Sequence, residues 1–274
     1  MNTRTIFAVL TTFLAITLIS GCGQQASEEP VAEPEAAVAT EAVPEVSVYA
    51  AAVANDLRPD ADRARDAGRK PAEVLEFIGI APGMVVLDMF SGGGWYAEVI
   101  AHVVGGGGRV IAHSNEAYIG FVGNALEERF GTGRVAHVEI MMAENNHLAL
   151  EADSLDAVMM GLSFHDLYNE DVEGGWELMD GPLFLAELQK GLKPGGIVAI
   201  VDHVAAAGAP PETGDTLHRI DPALVIEAMQ AAGFILDGQS DILRNADDDL
   251  SQIVFAEGIR GKTDRFVMRF KNPE

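Results

Sequence analysis

Phe164-His165-Asp166-Leu167-Tyr168-Asn169 sets an imidazole, a carboxylate and a phenol side by side. His165 can take a proton near neutral pH, Asp166 can orient it or act alone, and Tyr168 can donate a hydrogen bond. These three are the candidate catalytic residues; the alternative is that they cap and cross-link a loop. Farther on, Asp202-His203 and His218-Arg219 are candidates to complete a substrate pocket. Arg219 suits a carboxylate or phosphate on the substrate, and equally an ion pair with Asp221. His165, Asp166, Asp202, His203 and His218 form an oxygen and nitrogen ligand set, but no pair has the H-x-x-x-H spacing of one helix face. No metal is therefore expected. Upstream, Asp88 is followed by Ser91-Gly92-Gly93-Gly94. Such a turn lets the backbone approach a ligand and aims the free N–H groups of the next helix at it; the alternative is a tight turn without a ligand.

These groups need a frame, and the apolar pattern supplies one. Met84-Val85-Val86-Leu87 reads as a strand ending at Asp88, with a helix over 95–104 after the glycines. Further strands are expected over 109–113, 135–140, 154–162, 197–202, 234–243 and 264–270. Helices are expected over 117–130, 181–192 and 222–232, the last opened by Asp221-Pro222 and closed by Gly233. Strands alternating with helices at this spacing imply an α/β fold with a doubly wound, mostly parallel sheet. Ligands then belong at the carboxyl ends of the strands, where the candidates lie. Ahead of this unit, helices are expected over 48–57, 61–69 and 72–78. The charged 61–69 segment reads as a solvated face, or as a flap whose Arg65 or Arg69 meets an anion.

A chain of 274 residues with 48% hydrophobic side chains can bury the core of one domain of about 200 to 230 residues. Its formal charge of -24, with 18 Lys and Arg against 42 Asp and Glu, argues against a nucleic-acid partner. Residues 1–22 read as an export signal: Arg4 precedes an apolar run over 6–19 that is short for a membrane span. The run ends in Ile19-Ser20-Gly21-Cys22, which resembles the lipobox of bacterial lipoproteins. That resemblance implies lipidation of Cys22, the chain's single cysteine, and Gly23 after it implies the periplasmic face of the outer membrane. Residues 23–46, with six Glu and three Pro, read as a disordered tether. The folded domain is expected over 47–274.

Val85-Val86-Leu87-Asp88 with Gly92 and Gly94, and Leu192–Asp202 (LKPGGIVAIVD), resemble the first motif and fifth-strand segment of class I S-adenosylmethionine-dependent methyltransferases. RKPAEVLEFIGI, GGGWY, FHDLYN, LHRIDPA and RGKTDRF are similar to a subgroup of uncharacterised predicted methyltransferases that often carry export signals. The resemblance implies a seven-stranded Rossmann-like sheet with its last strand antiparallel, S-adenosylmethionine as cofactor, and a small-molecule acceptor. It also implies that Asp88, Ser91, Gly92, Gly93 and Gly94 hold the methionine end of the cofactor. Asn115 or Ser114 would stand in for the usual ribose-binding acid, and Glu144, beside Asn145, would lie near the adenine. Phe90 stands where the family has its first glycine.

Two other readings compete. One is a catalytically silent module with the same fold, anchored to the cell envelope. The other is a dinucleotide-dependent oxidoreductase, which the absence of G-x-G-x-x-G after Asp88 disfavours.

Overall fold

The computed structural model describes residues 46–170, 175–176 and 178–274. The expected signal, the Cys22 lipidation site and all but the last residue of the tether lie outside them. The sheet comprises β1 (Val85–Met89), β2 (Arg109–Ser114), β3 (Val138–Met142), β4 (Leu155–Gly161), β5 (Leu192–His203), β6 (Ile235–Ser240) and β7 (Arg265–Lys271). Its order is β3-β2-β1-β4-β5-β7-β6. β1 to β5 pair in parallel, and β7 runs antiparallel to both β5 and β6. This is the fold of class I methyltransferases.

The central strands read as apolar runs because both faces are covered. Leu87, Met89, Val158 and Met160 point into one core with Phe184 and Leu188 of α7 (Gly181–Gly191) and Val225 and Met229 of α9 (Pro222–Ala231). Val86, Ala157 and Met159 point the other way. There they meet α1 (Val48–Val53), α3 (Pro71–Ile78), α4 (Trp95–Val104) and α6 (Ala125–Phe130).

Several expectations change. The single helix over 117–130 is two, α5 (Glu116–Val122) and α6, because Gly123 takes φ +65° and ends the first. The third strand begins at Val138, three residues later than expected. Leu192 already belongs to β5, and the Lys193–Gly196 turn is absorbed as a register shift against β4. α8 (Thr213–Leu217) had no sequence signal.

α2 (Asp60–Arg69) is solvated over most of its length, and Asp62 is its one buried residue. Buried Asp62 accepts from Arg129 Nη1 at 2.5 Å, and Arg129 continues to Glu98 at 2.6 Å. The Trp95 indole N–H donates to the Asp62 carbonyl at 3.2 Å, and Arg69 stacks 4.6 Å above the Trp95 ring. α2 is thereby tied to the first turn of α4, directly behind the glycine turn.

Candidate functional site

The chain leaves β1 through Asp88, whose buried Oδ2 accepts from the Ser91 hydroxyl at 2.5 Å and from the Ala97 N–H at 3.0 Å. One carboxylate oxygen thus holds the turn to the first turn of α4. Burial pushes the Asp88 carboxyl up to about 7, and those two hydrogen bonds pull it back only in part. Asp88 acts by shaping the turn.

The glycines divide the work. Gly92 has φ +57° with open space where a Cβ would stand, so its backbone is free to face a ligand. A Cβ on Gly94 would lie 2.6 Å from the Phe130 ring and 2.9 Å from Arg129 Cδ. Gly94 is therefore a packing residue for α6.

Phe90, in the family's glycine position, takes φ +53°, a conformation glycine adopts freely and phenylalanine holds only under strain. Its buried ring stacks on Tyr118 at 5.1 Å and on Phe184 at 5.9 Å, and meets the edge of His113 at 5.3 Å. The ring thus packs in the core against the end of β2, the first turn of α5 and α7. His113, unnoticed in the sequence, braces this arrangement: its Nε2–H donates to the Ala143 carbonyl at 2.9 Å, and its Nδ1 accepts from the Phe90 N–H at 3.4 Å. Burial lowers the His113 imidazole to about 4, so it is neutral, as that bonding pattern requires.

At the end of β2, buried Asn115 caps α5 by accepting from the Tyr118 N–H at 2.8 Å, and its amide donates to Asn145 Oδ1 at 2.9 Å. Glu144 is exposed, and its carboxylate sits 3.4 Å from the Glu116 N–H. A cavity of about 180 Å³ opens beside Ser114, Ile119 and Met142. Of the candidates, Ser114 lines it, and neither the glycine turn nor His165 does.

After β4 the chain makes a tight 3-10 turn, Phe164–Tyr168. His165 is held twice by Asp202 of β5: its backbone N–H donates to Oδ2 and its Nδ1–H to Oδ1, both at 2.8 Å. Its Nε2 then faces Asp166 Oδ1 and His218 Nδ1, each at 3.3 Å. Burial works against the charged imidazole, but Asp202 and Asp166 outweigh it and raise His165 to about 9. Burial would raise Asp202, yet the facing His165 holds it below the usual carboxylate range; Asp166 is raised by burial. His218 is lowered to about 4 by burial and by its charged neighbour. His203 lies one layer out, its Nδ1 bonded to the Thr263 hydroxyl at 2.7 Å, and burial lowers it to about 3.

Two of the candidates do not join this cluster. Tyr168 faces α9, where Glu227 adds to burial in raising its phenol. The phenol that reaches the cluster belongs to Tyr118, whose hydroxyl donates to Asp166 Oδ2 at 2.5 Å. Arg219 is fully buried, bonded to Asp248 and to the Val204 and Gln252 carbonyls, with no face toward the crevice. It is a structural cation, and its partner is Asp248 in place of the expected Asp221, which instead caps α9. The result is an unbroken path from Phe90 at the glycine turn, through Tyr118 and Asp166, to His165 and His218.

A model of the protein-L-isoaspartate(D-aspartate) O-methyltransferase family matches residues 47–147. The ubiquinone/menaquinone biosynthesis C-methyltransferase UbiE of Hydrogenovibrio crunogenus is 25% identical over 197 residues, 71% of this chain. The matched region spans 66% of that relative's length. A SAM-dependent methyltransferase structure from Aquifex aeolicus aligns with TM-score 0.54 at 22% identity, covering 76% of this chain and 97% of that one. A putative sarcosine dimethylglycine methyltransferase from Galdieria sulphuraria aligns with TM-score 0.55 at 14% identity, covering 78% and 88%.

Proposed function

We propose that this chain, which has the class I methyltransferase fold, transfers a methyl group from S-adenosylmethionine to a small-molecule acceptor. The observation that carries the reading is the continuity just described: a glycine turn and an imidazole–carboxylate cluster both lie at the carboxyl ends of the sheet's parallel strands, joined through Phe90, Tyr118 and Asp166. A methyl sulfonium is already an activated donor, so the protein has mainly to align it with the acceptor. The Gly92 backbone meets the cofactor, and Asp88 and Ser91 hold the turn in shape. Asn115, Asn145 and Glu144 line the nucleoside side. Arg69 makes no hydrogen bond or ion pair among the described residues and sits beside Trp95 and Tyr96, a cation placed for a carboxylate. On the acceptor side, the buried Ser163 hydroxyl has no partner among the described residues, and His165 and Asp166 adjoin it in the same turn. Exposed Phe255 packs on His218 at 4.8 Å and neighbours exposed Phe121 at 6.4 Å, which favours an acceptor with an apolar body.

The Phe90 ring favours one second reading. A bulky residue at positive φ in the family's glycine position, buried against Tyr118, is what a binding module that has lost its cofactor would show. Calorimetry on residues 47–274 with S-adenosylmethionine, S-adenosylhomocysteine and NAD separates the possibilities. The expected result is binding of both adenosyl compounds and not of NAD. Gly92→Val is expected to weaken that binding about tenfold or more, since a side chain at φ +57° is strained by roughly 1–2 kcal/mol. Heat with none of the three favours the silent module, and heat with NAD alone favours an oxidoreductase.

The location is a proposal that rests on the sequence alone: an exported lipoprotein, held through Cys22 at the periplasmic face of the outer membrane. Cys22→Ser is expected to move the protein from the membrane to the soluble fraction, and continued sedimentation with membranes would defeat the assignment.

A further inference from the structure

We propose that His165, Asp166 and His218 form the binding site of one divalent transition-metal ion of the zinc class. The argument begins with spacing. His165 Nε2 lies 3.3 Å from Asp166 Oδ1 and 3.3 Å from His218 Nδ1, and a ligand atom from each of the three residues falls within 4.8 Å of the others. A tetrahedral ion that binds nitrogen and oxygen at about 2.0–2.1 Å spaces neighbouring ligands about 3.3–3.4 Å apart. Two edges of the triangle already have that length. Two imidazoles and a carboxylate, with a fourth position left over, make the composition of a catalytic zinc site; a structural site is closed by a fourth protein ligand.

The surrounding bonds support the same reading. Metal-binding histidines commonly donate their other ring N–H to a carboxylate, which fixes the tautomer and aims the free nitrogen. His165 donates its Nδ1–H to Asp202 in this way at 2.8 Å, leaving Nε2 for the ion. The Tyr118 hydroxyl engages Asp166 Oδ2 at 2.5 Å, which leaves Oδ1 facing inward. The third ligand comes from a backbone device. A Cβ on Gly214 would stand 2.6 Å from the His165 carbonyl oxygen, so only glycine lets α8 approach this closely. His218, the C-cap of that helix with φ +53°, is thereby set over His165.

Spacing along the chain does not announce the site, because its ligands come from the turn after β4 and the end of α8. The assignment stands apart from methyl transfer, since an ion held here is measurable without cofactor or acceptor. Within the proposed reaction, the ion's open position would take an oxygen, nitrogen or sulfur donor of the acceptor.

The test uses the purified full-length chain, stripped with a chelator, then titrated with Zn²⁺ by calorimetry and with Co²⁺ by visible absorption. The expected result is one ion per chain and the ligand-field bands of a four- or five-coordinate cobalt. His218→Ala and Asp166→Asn are each expected to weaken binding at least about 100-fold, and Tyr118→Phe about 10-fold. His147→Ala, at an exposed position, should leave it unchanged. Thermal unfolding of each variant without metal shows whether it is folded, and Zn²⁺ should raise the midpoint of the wild type and not of His218→Ala. Absence of stoichiometric binding in the wild type, or binding that survives His218→Ala at full strength, overturns the site; the hydrogen-bonded triad would then be all that is there.

Discussion

Arg219→Ala is expected to destabilise the domain by about 3–5 kcal/mol, because it strands a buried carboxylate. Arg219 and Asp248 form a two-pronged pair at 2.8 and 3.1 Å with both side chains fully buried. The guanidinium also donates to the Val204 carbonyl at 3.0 Å and the Gln252 carbonyl at 2.8 Å. It therefore ties the end of β5 to the segment between β6 and β7. Burial would raise Asp248, yet Arg219 and the backbone N–H groups of Asp264 and Leu250 hold it below the usual carboxylate range. A carboxyl depressed in the native state contributes stability that is present above its unfolded value near 4 and is lost as the pH falls through the lower native value. The pair should thus stabilise at neutral pH and fade in acid. Urea unfolding at pH 7 checks the first point. The double variant Arg219→Met, Asp248→Leu should recover most of the loss, since a buried ion pair replaced by apolar groups of similar volume is often neutral. If Arg219→Ala unfolds like the wild type, the structural assignment fails and a ligand-binding role for Arg219 returns.

Phe90→Gly is expected to lower stability and raise affinity for S-adenosylmethionine together. Truncating a buried phenylalanine costs about 3–5 kcal/mol. Relief of the positive φ returns about 1 kcal/mol of that. Affinity should rise if an adenosyl ligand seated on the turn has to displace the ring from its stack on Tyr118 and Phe184. Keeping the ring buried is worth roughly 2–3 kcal/mol, so its removal should tighten binding by about tenfold or more. Calorimetry beside thermal unfolding reads both effects. A less stable variant with unchanged affinity would show that the ring lies outside the cofactor's place.

Much of this arrangement was legible along the chain. The apolar run before Asp88, the Asp221-Pro222 helix start and the alternation of strand and helix all survive in the structure, because each follows from local backbone preference and two-sided burial. The break at Gly123 and the shift of β3 to Val138 were not legible. Glycine in a helical pattern is ambiguous until packing decides its φ, and the pairing partner sets a strand's ends. The same limit hides the packing of Gly94 against Phe130, which no local pattern marks.

The amino-acid order by itself determined the succession of strands and main helices and marked the candidate residues at Asp88–Gly94 and in the turn after β4. These are consequences of patterns within about a dozen residues. Only the tertiary structure decided which side chains meet. It put Tyr118 in place of Tyr168 on Asp166, paired Arg219 with Asp248, stacked Phe90 on Tyr118, and brought His218 to His165 across 53 positions. The physical reason is that a side chain's partner is set by which surfaces the sheet and its covering helices press together, and close approaches such as that at Gly214 have no signature shorter than the whole fold.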